Sequence, residues 1–176
     1  MSIYNNKHVV FEQVGVDADT VVWNQSTNTD GDGAYNNYEI SNIRNAVLPT
    51  KALALSNELY ATLTNTTIQT AKNGNSSTLV STSDKTFILA EKEMNSGSRQ
   101  WCVQQEFNTL TTLGYYVNHN ARSDRVKTDP SNVPEAYWLR SAFSGGTVGV
   151  VFVDSIGRFS SNLASSSMRL AQCFAY

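Results

Sequence analysis

The chain has 176 residues, of which 40% are hydrophobic and only 16% are charged, and its formal net charge is −2. A chain of this length suits one domain, residues 1–176, with a core large enough to need no disulfide or metal for stability. Its 13 lysines and arginines are scattered along the sequence, which argues against nucleic-acid binding, because that function needs a clustered basic surface.

Short strands and polar loops alternate at the start of the chain. Runs of apolar and β-branched residues predict strands at residues 8–14 and 19–23. Residues 1–19 are interpreted as a candidate strand pair for attachment to a larger assembly. A polar loop is expected to follow at residues 24–38.

Two helices are predicted in the middle of the chain. Ser41 is a suitable N-cap for a helix at residues 42–48, and Pro49 should end that helix. The second helix is expected at residues 99–113. Residues 64–83 are rich in Thr, Ser and Asn, which predicts a loop or a weak pair of strands.

The C-terminal part has the clearest pattern. It predicts strands at residues 136–142 and 148–153, and the second is almost wholly apolar, as in a strand covered on both faces. A hairpin turn at residues 154–157 follows, with Gly157 suited to a positive φ. Residues 168–176 are predicted to form a final strand.

The sequence contains no evident combination of residues suited to catalysis. His8 and His119 lie in no motif with a Ser or Cys nucleophile, and there is no Cys-x-x-Cys, HExxH or phosphate-binding loop. Cys102 and Cys173 stand in apolar surroundings and are predicted to be reduced thiols in the core. We therefore expect no catalytic residues and no cofactor.

One segment has the spacing of a calcium-binding loop. Asn28, Asp30, Asp32 and Glu39 occupy ligand positions 1, 3, 5 and 12, with glycine at position 6. However, the first position is Asn rather than Asp, and a predicted strand replaces the helix that should precede the loop. The Asp-Gly repeat is also common in turns, so we predict an ordinary loop without a metal.

The sequence YWLRS is formed by Tyr137, Trp138, Leu139, Arg140 and Ser141. By this motif the chain resembles a widespread bacterial and phage domain family of unknown function. Further segments match that family in the same order: Val21–Trp23, Tyr35–Asn36, Ser41–Arg44, Thr86–Ala90 with Glu93, and Met168–Ala171. The resemblance covers about residues 20–176, and Leu170 replaces the family's usual proline.

The resemblance implies an α+β, C-type-lectin-like fold, with a twisted antiparallel sheet, two or more helices and long loops. In such a scaffold Arg140 and Arg169 are expected to anchor loops through hydrogen bonds to backbone carbonyls, which is a structural role. Trp138 is expected in the core, because a tryptophan within an apolar strand is more often buried than sugar-binding. Formylglycine-generating enzymes share the fold, but this sequence does not match their cysteine and metal chemistry.

The resemblance and the composition together suggest a non-catalytic bacteriophage virion protein, attached to a capsid or tail. The sequence has no signal peptide and no apolar run of membrane-spanning length, so we expect the protein to leave the cell inside a virus particle. Adhesion to a host-surface glycan and decoration of the particle remain equal alternatives. The expected partners are other virion proteins or copies of the chain itself, with no nucleic acid and no membrane insertion. The rival interpretations are a carbohydrate-binding module on a bacterial surface and an enzyme of the formylglycine-generating type.

The expected contact surface is a loop between the last two strands. The chain should return along residues 158–161, and a Ser- and Asn-rich loop extends to Ser167. Recognition in a lectin-like scaffold falls to loops, because the helices and the sheet form the core. The alternative is a solvated turn without a ligand. The candidate contact residues are Arg158, Ser160, Asn162, Leu163, Ser165 and Ser166.

Overall fold

The computed structural model describes residues 2–4, 8–98 and 100–175. Its strands are β1 (Ser2–Tyr4), β2 (His8–Glu12), β3 (Val21–Val22), β4 (Thr66–Ala71), β5 (Leu79–Asp84), β6 (Thr86–Phe87), β7 (Lys127–Thr128), β8 (Pro134–Glu135), β9 (Tyr137–Ala142), β10 (Gly149–Val153), β11 (Phe159–Leu163), β12 (Ser167–Met168) and β13 (Cys173–Ala175). Its helices are α1 (Leu48–Leu53), α2 (Asn57–Thr62), α3 (Glu91–Met94), α4 (Gln104–Thr109), α5 (Gly114–Asn118), a π-helix at Ile43–Val47, and 3-10 helices at Tyr38–Ile40 and Arg122–Arg125. This mixture of helices and antiparallel sheets confirms the α+β class. Among these helices none is long and apolar enough to cross a bilayer.

A four-stranded antiparallel sheet joins the two ends of the chain, in the order β1-β2-β13-β6. Phe174 of β13 lies opposite Phe11 of β2, and their rings stack with centroids 5.6 Å apart. On its other side β13 pairs with β6, where Cys173 lies opposite Phe87. The single strand predicted at residues 168–176 is therefore wrong, because β12 pairs with β3 and only β13 enters this sheet.

The second sheet, in the order β11-β10-β9, contains the YWLRS segment. Every residue of β9 is buried, and β10 is buried except at Phe152, so the centre of this sheet is covered on both faces. Trp138 pairs in register with Phe152 and donates a hydrogen bond from Nε1 to the Val21 carbonyl at 3.1 Å. The prediction that Trp138 lies in the core is confirmed.

The helix predicted at residues 42–48 is present, but it does not end at Pro49. The π-helix runs directly into α1, and Pro49 lies in the first turn of α1. Proline is tolerated there, because the first N–H groups of an α-helix have no partner within it. The helix packs beside β6, where Thr86 Oγ1 donates a hydrogen bond to the Leu48 carbonyl at 3.3 Å.

Residues 64–83 contain the β4–β5 hairpin, so the weak strand pair is the correct alternative. Along β4 the buried side chains of Thr66, Ile68 and Thr70 alternate with more exposed ones, as in a strand with one face on the core. The hairpin is tied to the π-helix by the ion pair between Asp84 Oδ1 and Arg44 Nε at 3.0 Å.

The helix predicted at residues 99–113 is wrong over most of its length, and residue 99 lies outside the described residues. Trp101 is not helical, and Cys102 forms an isolated β-bridge with Phe143. The helix is confined to α4, and α5 follows as a separate element. The physical cause is a tertiary contact: the backbone N–H groups of Trp101 and Cys102 donate to the buried carboxylate of Glu91 instead of beginning a helix.

Candidate functional site

A buried ion pair fixes the centre of β9 to helix α3. The side chains of Arg140 and Glu93 are 0% and 1% exposed, and two parallel hydrogen bonds of 2.6 and 2.5 Å join them. Arg140 also donates to the Ile88 carbonyl at 2.8 Å. Arg169 donates to the Asp17 carbonyl at 2.9 Å. Both arginines therefore bond backbone carbonyls as expected.

Carboxylate partners of the two conserved-motif positions were not predicted. Arg169 makes ion pairs with Asp129 at 3.3 Å and with Glu135 at 3.1 Å, and Arg140 pairs with Glu93 as described. Tyr137, the first residue of the motif, donates from its hydroxyl to the Arg125 carbonyl at 2.7 Å. The motif thus ties β9 to several distant segments, which is a structural role.

Glu91 shapes the loop that follows α3. Its fully buried carboxylate accepts hydrogen bonds from the N–H groups of Trp101 at 2.9 Å and Cys102 at 2.7 Å, and from the Asn95 amide at 3.2 Å. Burial raises the pKa of Glu91, and these hydrogen bonds oppose the rise. The carboxylate therefore holds both ends of residues 95–102 against the core.

Glu106 is a second buried carboxyl group near the same strand. It accepts hydrogen bonds from the Ala71 N–H at 2.7 Å and from the Ser141 hydroxyl. Burial raises the pKa of Glu106 from its ordinary value of 4.5 to about 7, although Ser141, Ala71 and Arg140 oppose the rise. The carboxyl therefore changes its charge near neutral pH.

We expect the protein to lose stability as the pH rises through this range. Between 4.5 and about 7 the folded state keeps a proton on Glu106 that the unfolded chain has released. The contribution is complete below the lower value, and the free energy of unfolding should fall by roughly 3 kcal/mol across the interval. Urea unfolding at a series of pH values measures the slope. The Glu106→Gln variant imitates the protonated carboxyl and should flatten it, whereas an unchanged slope in that variant would contradict the assignment.

An open groove of about 630 Å³ lies at one end of the second sheet. One wall is formed by Asn95–Gly97 and Trp101, in the loop that Glu91 holds. The opposite wall is formed by Asn120 and by residues Arg122 and Arg125 of the 3-10 helix, and Arg158 and Phe159 complete the groove at the start of β11. This volume is typical of a pocket for a small ligand.

Hydrogen bonds between the walls hold the groove in shape. Asn120 donates to the Ser96 hydroxyl at 3.1 Å, which joins the two walls. Arg125 is 8% exposed and donates to the carbonyls of Gly157 at 3.1 Å and Asn120 at 2.9 Å. Its guanidinium carbon lies 4.7 Å from the centre of the Phe159 ring. Arg125 therefore connects the 3-10 helix to the β10–β11 hairpin.

Gly157 permits a close approach of the hairpin to the 3-10 helix. Its φ is +76°, and a Cβ at this position would lie 1.8 Å from the Arg122 carbonyl oxygen. The expectation of a positive φ at this turn is confirmed. Asp154 Oδ1 closes the turn by accepting from the Ile156 and Arg158 N–H groups at 3.0 and 2.8 Å. The turn therefore sets where Arg158 leaves the backbone.

Two of the groove arginines are exposed and lack a polar partner. Among the residues that the structure describes, no hydrogen bond or ion pair involves the guanidinium of Arg122 or Arg158, and no Asp or Glu lines the groove. Trp101 adds a half-buried aromatic ring, which packs against Phe143 with centroids 5.9 Å apart. The groove is therefore positively charged, polar and partly aromatic.

The predicted contact loop differs from this groove. Residues 159–163 are strand β11 rather than loop, because they pair with β10, with Ser160 opposite Phe152 and Asn162 opposite Val150. Ser165 and Ser166 follow at the far end of that strand, beside Leu163, which is 48% exposed. Asn162 Oδ1 accepts from the Leu163 N–H at 2.8 Å. Among the predicted contact residues, Arg158 alone lines the groove.

Sequence reasoning missed most of the groove. Its lining comes from residues 95–101, 120–125 and 158–159, and no local motif links segments that far apart. The pair Arg122 and Arg125, three positions apart in an otherwise weakly charged chain, was the one available signal.

The segment with calcium-loop spacing has other partners. Asp30 Oδ1 accepts from the N–H groups of Asp32 and Ala34 at 2.9 and 3.0 Å, and the Asp32 carboxylate pairs with Lys72 at 2.6 Å. The Asn28 amide donates to the Ile40 carbonyl at 2.7 Å. Glu39 bonds through its backbone, with its N–H donating to the Asn37 side chain at 3.0 Å. Within the described part of the chain, no group of three or more His, Cys, Asp or Glu side chains could hold a metal ion.

Comparison with known proteins gives one match. The model of a family described as a domain of unknown function (DUF6273) matches residues 13–174. No curated protein and no solved structure matches the chain. The matched residues contain every wall of the groove and the whole second sheet. The chain therefore belongs to the family of DUF6273 domains.

Proposed function

We propose that the chain is a non-catalytic binding protein of a bacteriophage particle and that the groove is its ligand-binding site. The observation that supports this most is the pair of exposed guanidinium groups, Arg122 and Arg158, which have no partner among the described residues. Functional polar groups on a protein surface often lack internal partners, because their partner is the ligand. In this proposal the bound partner is a glycan of the host surface, so adhesion is favoured over pure decoration.

We also propose that the scaffold is C-type-lectin-like and that YWLRS marks it. The central β9–β10 pair, the helices packed beside it and the long loops that line the groove support this assignment. The binding site would then lie on loops at one end of the sheet, as the lectin-like scaffold implies. The attachment role of residues 1–19 belongs to the same proposal, with other virion proteins or further copies of the chain as partners.

A binding role is favoured over an enzymatic one. Burial raises the pKa values of the Cys102 and Cys173 thiols well above their ordinary range, and a protonated thiol is a poor nucleophile. His119 is exposed, and its ring stacks on Tyr115 with centroids 4.4 Å apart. These arrangements weigh against an enzyme of the formylglycine-generating type. A carbohydrate-binding module on a bacterial surface would use the same groove and remains the alternative.

Two measurements test the proposal. Mass spectrometry of phage particles purified from the source bacterium should detect the chain, and its absence from the particles would contradict the virion assignment. The purified protein should bind host cells, and the Arg122→Ser/Arg158→Ser variant should lose this binding at least tenfold. The variant Lys72→Ser/Lys85→Ser is the charge-matched control, because it removes two cations outside the groove. Equal loss in both variants would indicate a general charge effect and would contradict a specific site.

A further inference from the structure

The arginines of the described chain divide into two groups by their partners. Arg44 pairs with Asp84, Arg140 with Glu93, and Arg169 with Asp129 and Glu135. In contrast, no ion pair of the described residues involves the three arginines of the groove: Arg122, Arg125 and Arg158. Unpaired guanidinium groups therefore occur together, at the one place where three separate segments of the chain meet.

The unpaired charge is strongest at Arg125. Its guanidinium is largely buried, yet its hydrogen bonds go to the neutral carbonyls of Gly157 and Asn120. Placing a cation in a site of low dielectric without a counter-ion is costly, and two further cations beside it add repulsion. A bound anion would offset both costs, because guanidinium groups bind carboxylates and phosphates through parallel hydrogen bonds.

The remaining lining identifies what the anion is attached to. A groove of about 630 Å³ is much larger than a single carboxylate or phosphate. Trp101 supplies a flat apolar surface, and Asn95, Ser96 and Asn120 supply short uncharged polar groups. A sugar ring has an apolar face of C–H groups and a rim of hydroxyls, which matches an aromatic ring beside amide and hydroxyl groups.

We infer that the groove binds a saccharide that carries a negatively charged group, with the anion on the arginines and the sugar ring beside Trp101. This inference rests on the proposed binding function and names its ligand class. The charge is either a carboxylate, as in a uronic acid, or a phosphate ester, and both present the oxygen pairs that a guanidinium recognises.

Matched monosaccharides test the inference. Glucose, glucuronate and glucose 6-phosphate share one ring and differ in charge, and their affinities can be measured by NMR titration of the intact protein. At least one of the two acidic sugars should bind tenfold or more tightly than glucose, and added salt should weaken that preference. Which acidic sugar binds more tightly identifies the carboxylate or the phosphate as the natural group.

Two variants and one further ligand complete the test. Arg122→Gln/Arg158→Gln should reduce the affinity for the acidic sugar to that for glucose, and both positions are exposed, so folding can be verified by circular dichroism. Inorganic phosphate should bind more weakly than glucose 6-phosphate, and equal affinity would overturn the role of the sugar ring. Glucose binding as tightly as the acidic sugars would overturn the role of charge but leave the binding function intact. Failure of all three sugars would overturn the inference, whereas loss of host-cell binding as well would overturn the proposed function.

Discussion

Replacing Arg140 with methionine should lower the free energy of unfolding by about 3–5 kcal/mol, the usual cost of removing one partner of a buried ion pair. The Glu93 carboxylate would remain 1% exposed without its two charge-assisted hydrogen bonds. The Ile88 carbonyl would also lose its donor. Equilibrium urea unfolding of Arg140→Met and the wild type measures the difference.

Two further variants separate the buried pair from a general effect of losing an arginine. Arg44→Met removes a pair whose side chains are 21% and 12% exposed, so its cost should be much smaller, about 1 kcal/mol. Arg140→Met/Glu93→Gln removes both charges and should be more stable than Arg140→Met alone. A cost for Arg140→Met no larger than that for Arg44→Met would contradict the structural role of this pair.

The C-terminal strands were predictable because their local pattern and their tertiary environment agree. β9 and β10 have nearly continuous apolar sequences, and the structure buries both almost completely. The segment before α4 was not predictable, because its conformation depends on the Glu91 carboxylate about ten residues earlier in the chain. Local propensity favours a helix there, and a buried tertiary hydrogen bond prevents it.

The candidate site was harder to predict than the fold, for a related reason. The Ser- and Asn-rich composition after Arg158 suggested a loop, yet residues 159–163 pair with β10 along their whole length. The groove is instead formed where the 3-10 helix meets the hairpin turn, which is a contact between residues more than thirty positions apart. Composition indicated one member, Arg158, but packing determines the others.

Gly157 is the position where fold and site depend on the same atom, and Gly157→Ala should destabilise the protein by about 2–5 kcal/mol. Part of this cost, about 1–2 kcal/mol, is the strain of a non-glycine residue at φ +76°. The rest arises because the new Cβ would lie 1.8 Å from the Arg122 carbonyl oxygen, and overpacking of this kind costs about 1–3 kcal/mol.

A matched glycine separates the two contributions to this cost. Gly145 has φ +97°, and a Cβ there would meet no atom within 4 Å, so Gly145→Ala should cost only the strain, about 1–2 kcal/mol. Thermal unfolding of both variants measures the difference. The clash should also push the 3-10 helix away from the hairpin and break the Arg125 bond to the Gly157 carbonyl. Gly157→Ala should therefore weaken host-cell binding at least tenfold at a temperature where it is still folded, while Gly145→Ala binds like the wild type. Equal stability of the two variants would contradict the close approach at Gly157, because the strain alone would then account for both.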